Sequence, residues 1–246
     1  MDSFTRRRVS RLFPVLVFGA GALVSWTALP IPASAATTSP TSLLAASEAA
    51  IAKQSAVHVA VMIKSSPTAA VENVTGDWGK TGGTETVSLG KALLVVKAIG
   101  GFAYLSGNSS GLTKIFGFTA ALAKKIGKHW VSYSSKTSQY GDLAPGLKIS
   151  SAKGVLPKAK GTKLSTEVVK NTKMFVLKWT VAESASAPEL KFSLLIPAVG
   201  IALPLEETVS TTTGGKETIT FSKWGEHVVV SAPPADMTVA STKITG

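Results

Sequence analysis

Apolar side chains at every second position recur along most of this chain, and this period limits the folds open to it. Val57, Val59, Val61 and Ile63 alternate with polar or smaller residues, a pattern typical of a β-strand that buries one face. Similar segments predict strands at 84–89, 92–98, 102–105, 128–133, 164–170, 173–181, 189–196, 205–212, 217–221 and 228–231. The connections are short and rich in Gly, Ser and Thr, so successive strands should pair antiparallel.

Helical patterns are predicted at three places, residues 43–56, 112–126 and 141–156. In the second of these, Phe118, Leu122 and Ile126 fall on one stripe at spacings of four, and lysines cluster at the end where cations suit the helix dipole. We expect this stripe to pack on the sheet, although a basic amphipathic helix could instead lie on a membrane. The fold class is therefore α+β, one antiparallel sheet whose apolar face is covered by a few helices.

The first 35 residues have the three regions of a secretory signal peptide. Four arginines lie within the first twelve residues, an uncharged run follows over 12–29, and Ala33-Ser34-Ala35 ends the segment. Cleavage is expected between Ala35 and Ala36; the alternative is an uncleaved membrane anchor. The remaining chain divides into a linker at 36–42, one domain at 43–232 and a flexible tail at 233–246. A secreted or extracytoplasmic location follows from this reading.

The basic residues beyond the signal segment are all lysines. Residues 36–246 contain 22 lysines, no arginine and 13 acidic residues, a net charge of +9. Since base recognition relies on the bidentate fork of arginine, this composition argues against nucleic-acid binding. The lysines either keep a monomeric protein well hydrated or attract it transiently to anionic lipid headgroups and wall polymers.

Motifs for metal binding and catalysis are weak in this chain. It has no cysteine for a disulfide or a thiolate zinc site, and its three histidines are far apart in sequence, so neither a metal site nor a cofactor is expected. Residues 107–111, GNSSG, match the G-x-S-x-G pattern of serine esterases, with Asp142 and His227 following in the hydrolase order. The parallel strand–helix alternation of hydrolases is missing, so we interpret the pentapeptide as a turn and predict no enzyme; an esterase remains a minor alternative.

Several stretches resemble the LppX/LprG family of actinobacterial cell-envelope lipoproteins, which are related in fold to the LolA carriers. These are YLSG (104–107), GKHWV (127–131), LPLEET (203–208) and FSKWGEHVVVSAPP (221–234). The resemblance implies a strongly curved half-barrel sheet, helices over its concave side, and an apolar cavity that takes acyl chains of lipids or lipoglycans. The alternative is a well-packed core with no cavity.

The cavity walls would come from strand residues facing inward and from the helical stripe. The candidates are Val59, Val61, Phe118, Leu122, Ile126, Phe175, Leu177, Trp179, Phe192, Leu194 and Ile196. With these residues as its walls, the cavity that the resemblance implies would belong to a lipid carrier; the alternative is an interaction protein that binds envelope polymers or partners through its lysine-rich surface. Members of the resembled family carry an acylated cysteine after the signal peptide, and this chain has none. The sequence therefore predicts either a freely secreted carrier or one held by an uncleaved anchor.

Overall fold

Twelve strands form one sheet in the computed structural model, which describes residues 38–182 and 189–244. The strands are β1 Ala56–Lys64, β2 Glu72–Gly79, β3 Gly83–Leu89, β4 Ala92–Ile99, β5 Phe102–Gly107, β6 Trp130–Ser134, β7 Lys163–Val169, β8 Thr172–Val181, β9 Leu190–Pro197, β10 Glu206–Thr211, β11 Lys216–Ser222 and β12 Thr238–Ala240. Their spatial order is β12-β6-β5-β4-β3-β2-β1-β11-β10-β9-β8-β7. All neighbours pair antiparallel except β12 with β6. The sheet is curved. It is open because its edge strands β7 and β12 do not pair with each other.

Short helices cover one face of this sheet. The helices are α1 Pro40–Lys53, α2 Ser109–Lys114, α3 Ala120–Ile126 and α4 Ser138–Leu143, with 3₁₀ turns at Pro145–Leu147, Ile149–Val155, Ala235–Met237 and Ser241–Lys243. Helix α1 begins three residues before the expected domain start, because Ser39 caps it in a capping box with Ser42 and Pro40 occupies its first turn. We call the covered face the inner face and the opposite one the outer face.

The inner face holds the core. On β1, Val57, Val59, Val61 and Ile63 are at most 3% exposed and belong to the main core cluster, as the two-residue period predicted. The α1 side chains Leu43, Leu44 and Ile51 are buried in the same cluster. The half-barrel with helices on one face, which the resemblance implied, is thus confirmed.

Strand β2 was missed by the sequence analysis, and the predicted strand at 228–231 is wrong. Strand β2 contains three residues that are uncommon in strands, Asn73, Gly76 and Asp77, and they obscure the alternation of its inward-facing side chains in the sequence. Gly76 is required there, because a Cβ atom would lie 2.3 Å from the carbonyl oxygen of Thr84 on β3. Residues 228–231 form no ladder and instead cross the outer face, where the Lys97 Nζ donates to the carbonyl of Ser231 at 3.4 Å.

The helix predicted at 112–126 is two helices. Gly117 takes a φ of +87°, which stops α2, and Thr119 then caps α3 by accepting a hydrogen bond from the Leu122 amide. Phe116 and Phe118 pack edge-to-face across the break at 4.6 Å. The single amphipathic stripe therefore does not exist as one surface.

The C-terminal segment differs from the flexible tail expected at 233–246. Residues 238–240 pair with β6 as the parallel strand β12, and Ile244 is 7% exposed within the core cluster. Pairing satisfies the backbone groups of the β6 edge and burial removes Ile244 from water, which outweighs the breaker effect of Pro233 and Pro234 on which the prediction relied.

Candidate functional site

The candidate wall residues on β8 and β9 lie side by side on the inner face as pairs between neighbouring strands. The register places Phe175 opposite Ile196, Leu177 opposite Leu194, and Trp179 opposite Phe192. Leu177, Leu194 and Ile196 are fully buried, whereas the other three side chains are partly buried. The rings of Trp179 and Phe192 stack at 4.9 Å with an angle of 11°. One end of this surface is therefore packed core and the other end opens into space.

That space has a volume of about 320 Å³. We call it the main cavity because it contains more of the predicted wall residues than any other cavity described here. Its floor comes from β1, β2, β8, β9, β10 and β11, and its roof from the 3₁₀ turn Ile149–Val155 with Leu156 and Pro157. It is lined by Val61, Ile63, Trp78, Ser151, Gly154, Val155, Leu156, Pro157, Trp179, Phe192, Glu207, Val209, Glu217 and Ile219. Three predicted wall residues, Val61, Trp179 and Phe192, are among them. The volume is at the lower end of the range of roughly 300–1,000 Å³ for small-molecule sites.

Two carboxylates in the floor of the main cavity were not anticipated. Glu207 on β10 is 6% exposed, and its backbone neighbour across the ladder is Ile219 on β11. Glu217 lies one inward position further along β11, opposite Val209. The LPLEET motif contains Glu207 but not Glu217, and the alternation around Glu207 was too short to assign it to the inner face. Their oxygens give an otherwise apolar cavity a polar end.

A second cavity of about 260 Å³ lies under α2 and α4. It is lined by Glu72, Glu85, Val87, Leu94, Val96, Ile115, Phe116, Gln139, Asp142 and Leu143. Glu85 is 4% exposed and accepts a hydrogen bond of 2.7 Å from Trp78 Nε1. Burial raises the pKa of Glu85 to about 7, and the hydrogen bond from Trp78 lowers it in part. Because Trp78 lines the main cavity, this bond joins the walls of the two cavities.

Of the three candidate wall residues from the predicted helix, two line a third cavity and one is buried in the core. Phe118 and Leu122 line a space of about 310 Å³ with Tyr133 and Ile244. Burial raises the pKa of Tyr133 to about 12. Ile126 is 1% exposed and packs in the core instead.

The remaining candidates line none of these three cavities. Val59 is 2% exposed and lies opposite Phe221 in the ladder. Phe175, Leu177, Leu194 and Ile196 belong to the packed end of the β8–β9 surface. Contact between any of the candidates and a ligand stays a prediction.

The GNSSG pentapeptide acts as a junction between strand and helix. Asn108 caps α2 by accepting a 2.7 Å hydrogen bond from the Gly111 amide, and its Nδ2 donates to the Lys91 carbonyl at 2.8 Å. Asp142 lines the second cavity, while His227 lines a groove on the outer face with the loop after β2. Ser109, Asp142 and His227 therefore follow one another along the chain in the order of a hydrolase, but they share none of the cavities described here.

No family model and no curated protein matches the chain. The crystal structure of LprF from Mycobacterium bovis aligns with a TM-score of 0.52 at 15% identity, over 79% of this chain and 96% of that one. Lipoprotein LppX from Mycobacterium tuberculosis aligns with a TM-score of 0.48 at 16% identity, over 78% and 99%. The predicted resemblance is confirmed at the level of fold: this chain has the fold of LprF.

Proposed function

We propose that this protein is a non-enzymatic lipid carrier that binds acyl chains in the main cavity outside the cytoplasm. The observation that supports the proposal is the apolar floor of that cavity, where Val61, Trp179 and Phe192 leave space beneath a thin 3₁₀ roof. A closely packed interior would not leave such space over a hydrophobic sheet.

Binding would be driven by removing hydrocarbon from water. Each buried methylene contributes about 0.8 kcal/mol, so one long chain supplies substantial affinity without directional contacts. The cavity volume suits one acyl chain rather than several. The second and third cavities adjoin the same inner face and offer room for a larger lipid or lipoglycan.

Glu207 and Glu217 give one end of this otherwise apolar cavity polar atoms. The polar headgroup of a bound lipid is expected to lie at that end, with its acyl chain along Val61, Trp179 and Phe192.

Delivery would take place in the extracytoplasmic space. The predicted cleavage site between Ala35 and Ala36 lies outside the described residues; among those described, no helix is long and apolar enough to cross a membrane. We propose a freely secreted monomer that meets membrane surfaces transiently through its lysines, loads a lipid and releases it elsewhere in the envelope.

The carrier proposal is tested with residues 36–246 purified without detergent. Lipid extraction with mass spectrometry is expected to identify a co-purified lipid, and a fluorescent acyl probe should bind and be displaced by it. Protein recovered without lipid and unable to take up the probe would overturn the proposal. Salt-dependent binding to wall polymers by that same protein would support the interaction-protein alternative.

A matched pair of variants on β11 locates the binding. Ile219→Trp fills the main cavity and should weaken probe binding by about tenfold, the effect of losing roughly two buried methylenes. Thr220→Trp adds the same side chain at an exposed position on the outer face and should bind as the parent does. Equal affinities for the two variants would place the probe elsewhere.

A further inference from the structure

A segment after β11 crosses the outer face and is fixed beside β1. We call residues 223–234 the strap. The Gly225 amide donates to the Ala56 carbonyl at 2.8 Å, and Ser55 Oγ donates to the Gly225 carbonyl at 2.9 Å. Trp224 Nε1 donates to the carbonyl of Pro204 at 3.1 Å. These bonds determine where Glu226, the next residue, meets the sheet.

Glu226 joins a histidine and an aspartate on the outer face. His58 on β1 and Asp77 on β2 are direct partners in the ladder, and His58 Nδ1 lies 2.6 Å from Asp77 Oδ1. One ligating atom from each of His58, Asp77 and Glu226 lies within 4.8 Å of the others. The three residues are 19 and more positions apart in sequence, which is why the histidine spacing predicted no metal site.

One carboxylate oxygen of Glu226 lacks a hydrogen-bond partner among the described residues. Its Oε1 is buried and has no hydrogen-bond partner within residues 38–182 and 189–244. A buried carboxylate oxygen that is left unpaired is costly. Two carboxylate groups beside one imidazole also concentrate negative charge at a place where a cation would be attracted.

We propose that a divalent cation of the Zn²⁺ class binds here, held by His58 Nδ1, Asp77 Oδ1 and Glu226 Oε1. One imidazole nitrogen and two carboxylate oxygens form a donor set that zinc accepts, with water in a fourth position. His58 and Asp77 side chains are 30% and 37% exposed, so solvent reaches the site.

Rotation of the three side chains would bring their ligating atoms to the spacing that a zinc ion requires. Ligands of a tetrahedral zinc ion lie about 3.4 Å apart at the usual bond lengths. The His58–Asp77 pair would open and Glu226 would move inward, with no change in the backbone bonds of the strap. The bound ion would then clamp the strap to β1 and β2.

The test uses residues 36–246 with any affinity tag removed, so that the only histidines are those at 58, 129 and 227. Zn²⁺ titration by calorimetry is expected to show one site, and zinc should raise the midpoint of thermal unfolding. Glu226→Gln should weaken Zn²⁺ binding by at least about tenfold, because even residues that only support metal ligands cost 10–100-fold. Since Glu226 Oε1 is buried without a hydrogen bond, the neutral glutamine should leave the metal-free protein at least as stable as the parent.

Controls separate this site from histidine binding in general. His227→Gln changes an exposed neighbour of Glu226, and His129→Gln changes a residue whose ring contacts the Ile126 carbonyl instead. Both variants should bind zinc as the parent does, and the imidazole NMR signal of His58 should shift on zinc addition. Unchanged zinc affinity in Glu226→Gln, loss only in a control, or no zinc uptake at all would overturn the proposal.

Discussion

At the residue scale, Glu85 is the most unusual group in the core. It lies under the helices of the inner face, hydrogen-bonded to Trp78, and desolvation raises the pKa of its carboxyl from 4.5 to about 7. A carboxyl whose pKa is raised by folding binds its proton more tightly in the folded state. Stability is therefore greatest below the unfolded pKa and falls as the pH rises toward about 7.

Glu85→Gln should remove this pH dependence. The parent should lose on the order of 3 kcal/mol of unfolding free energy through Glu85 between about pH 4.5 and about pH 7. The glutamine stays neutral and can still accept from Trp78, so the variant should be more stable than the parent at about pH 8. Urea denaturation across this pH range measures the difference.

Glu206→Gln is the control, because Glu206 lies on the outer face of β10 beside Thr208. It should leave the pH profile of the parent unchanged. A Glu85→Gln profile parallel to that of the parent would show that the carboxyl does not titrate in this range.

At the scale of elements, the junction of β4, β5 and α2 depends on two glycines. A Cβ atom on Gly107 would lie 2.4 Å from the Leu93 carbonyl oxygen, and one on Gly111 would lie 1.9 Å from it. The Leu93 backbone also exchanges hydrogen bonds with Asn108. Helix α2 can dock on β4 this closely only because both positions have no side chain, which explains the GNSSG sequence without catalysis.

Gly111→Ala should destabilise the protein by about 2 kcal/mol or more, since the overlap is with backbone that cannot rotate away. Gly141→Ala is the matched control: it lies in α4 with nothing within 4 Å of an added Cβ. That variant should be neutral or up to about 1 kcal/mol more stable. Chemical denaturation measures both, and similar values for the two would contradict the close approach.

For the whole molecule, the charged residues of the strands are distributed unequally between the two faces of the sheet. The inner face carries the strand carboxylates Glu72, Glu85, Glu207 and Glu217. The outward positions of the strands carry lysines at 64, 97, 163, 178, 191 and 216. Asp77, Glu167 and Glu206 also lie at outward positions, so these six lysines outnumber the three acids and leave the outer face of the strands with a net positive charge.

The protein should therefore associate with anionic vesicles and release them at high salt. Binding measured by co-sedimentation with phosphatidylserine vesicles should fall steeply from about 0.1 M to about 0.5 M NaCl, because screening shortens the reach of surface charges. Vesicles of phosphatidylcholine alone should bind little. Association that persists at the higher salt would point to apolar insertion instead.

The sequence by itself determined which segments form most of the strands. Alternation of side chains is a local property, so β1 and the inward pairs of β8 and β9 could be read from it. Local propensity failed where tertiary contacts decide the outcome, as in β2 with Gly76 between two strands, and in β12, which exists only against the edge of β6.

The tertiary structure alone decided which inward residues line space and which are packed. Val61 and Val59 have the same pattern and the same burial, yet only Val61 lines the main cavity. It also brought Glu226 to His58 and Asp77 across more than 140 residues of chain. The reason is physical: alternation fixes the side of a strand on which a residue lies, whereas a cavity or a ligand set depends on curvature and on segments remote in sequence.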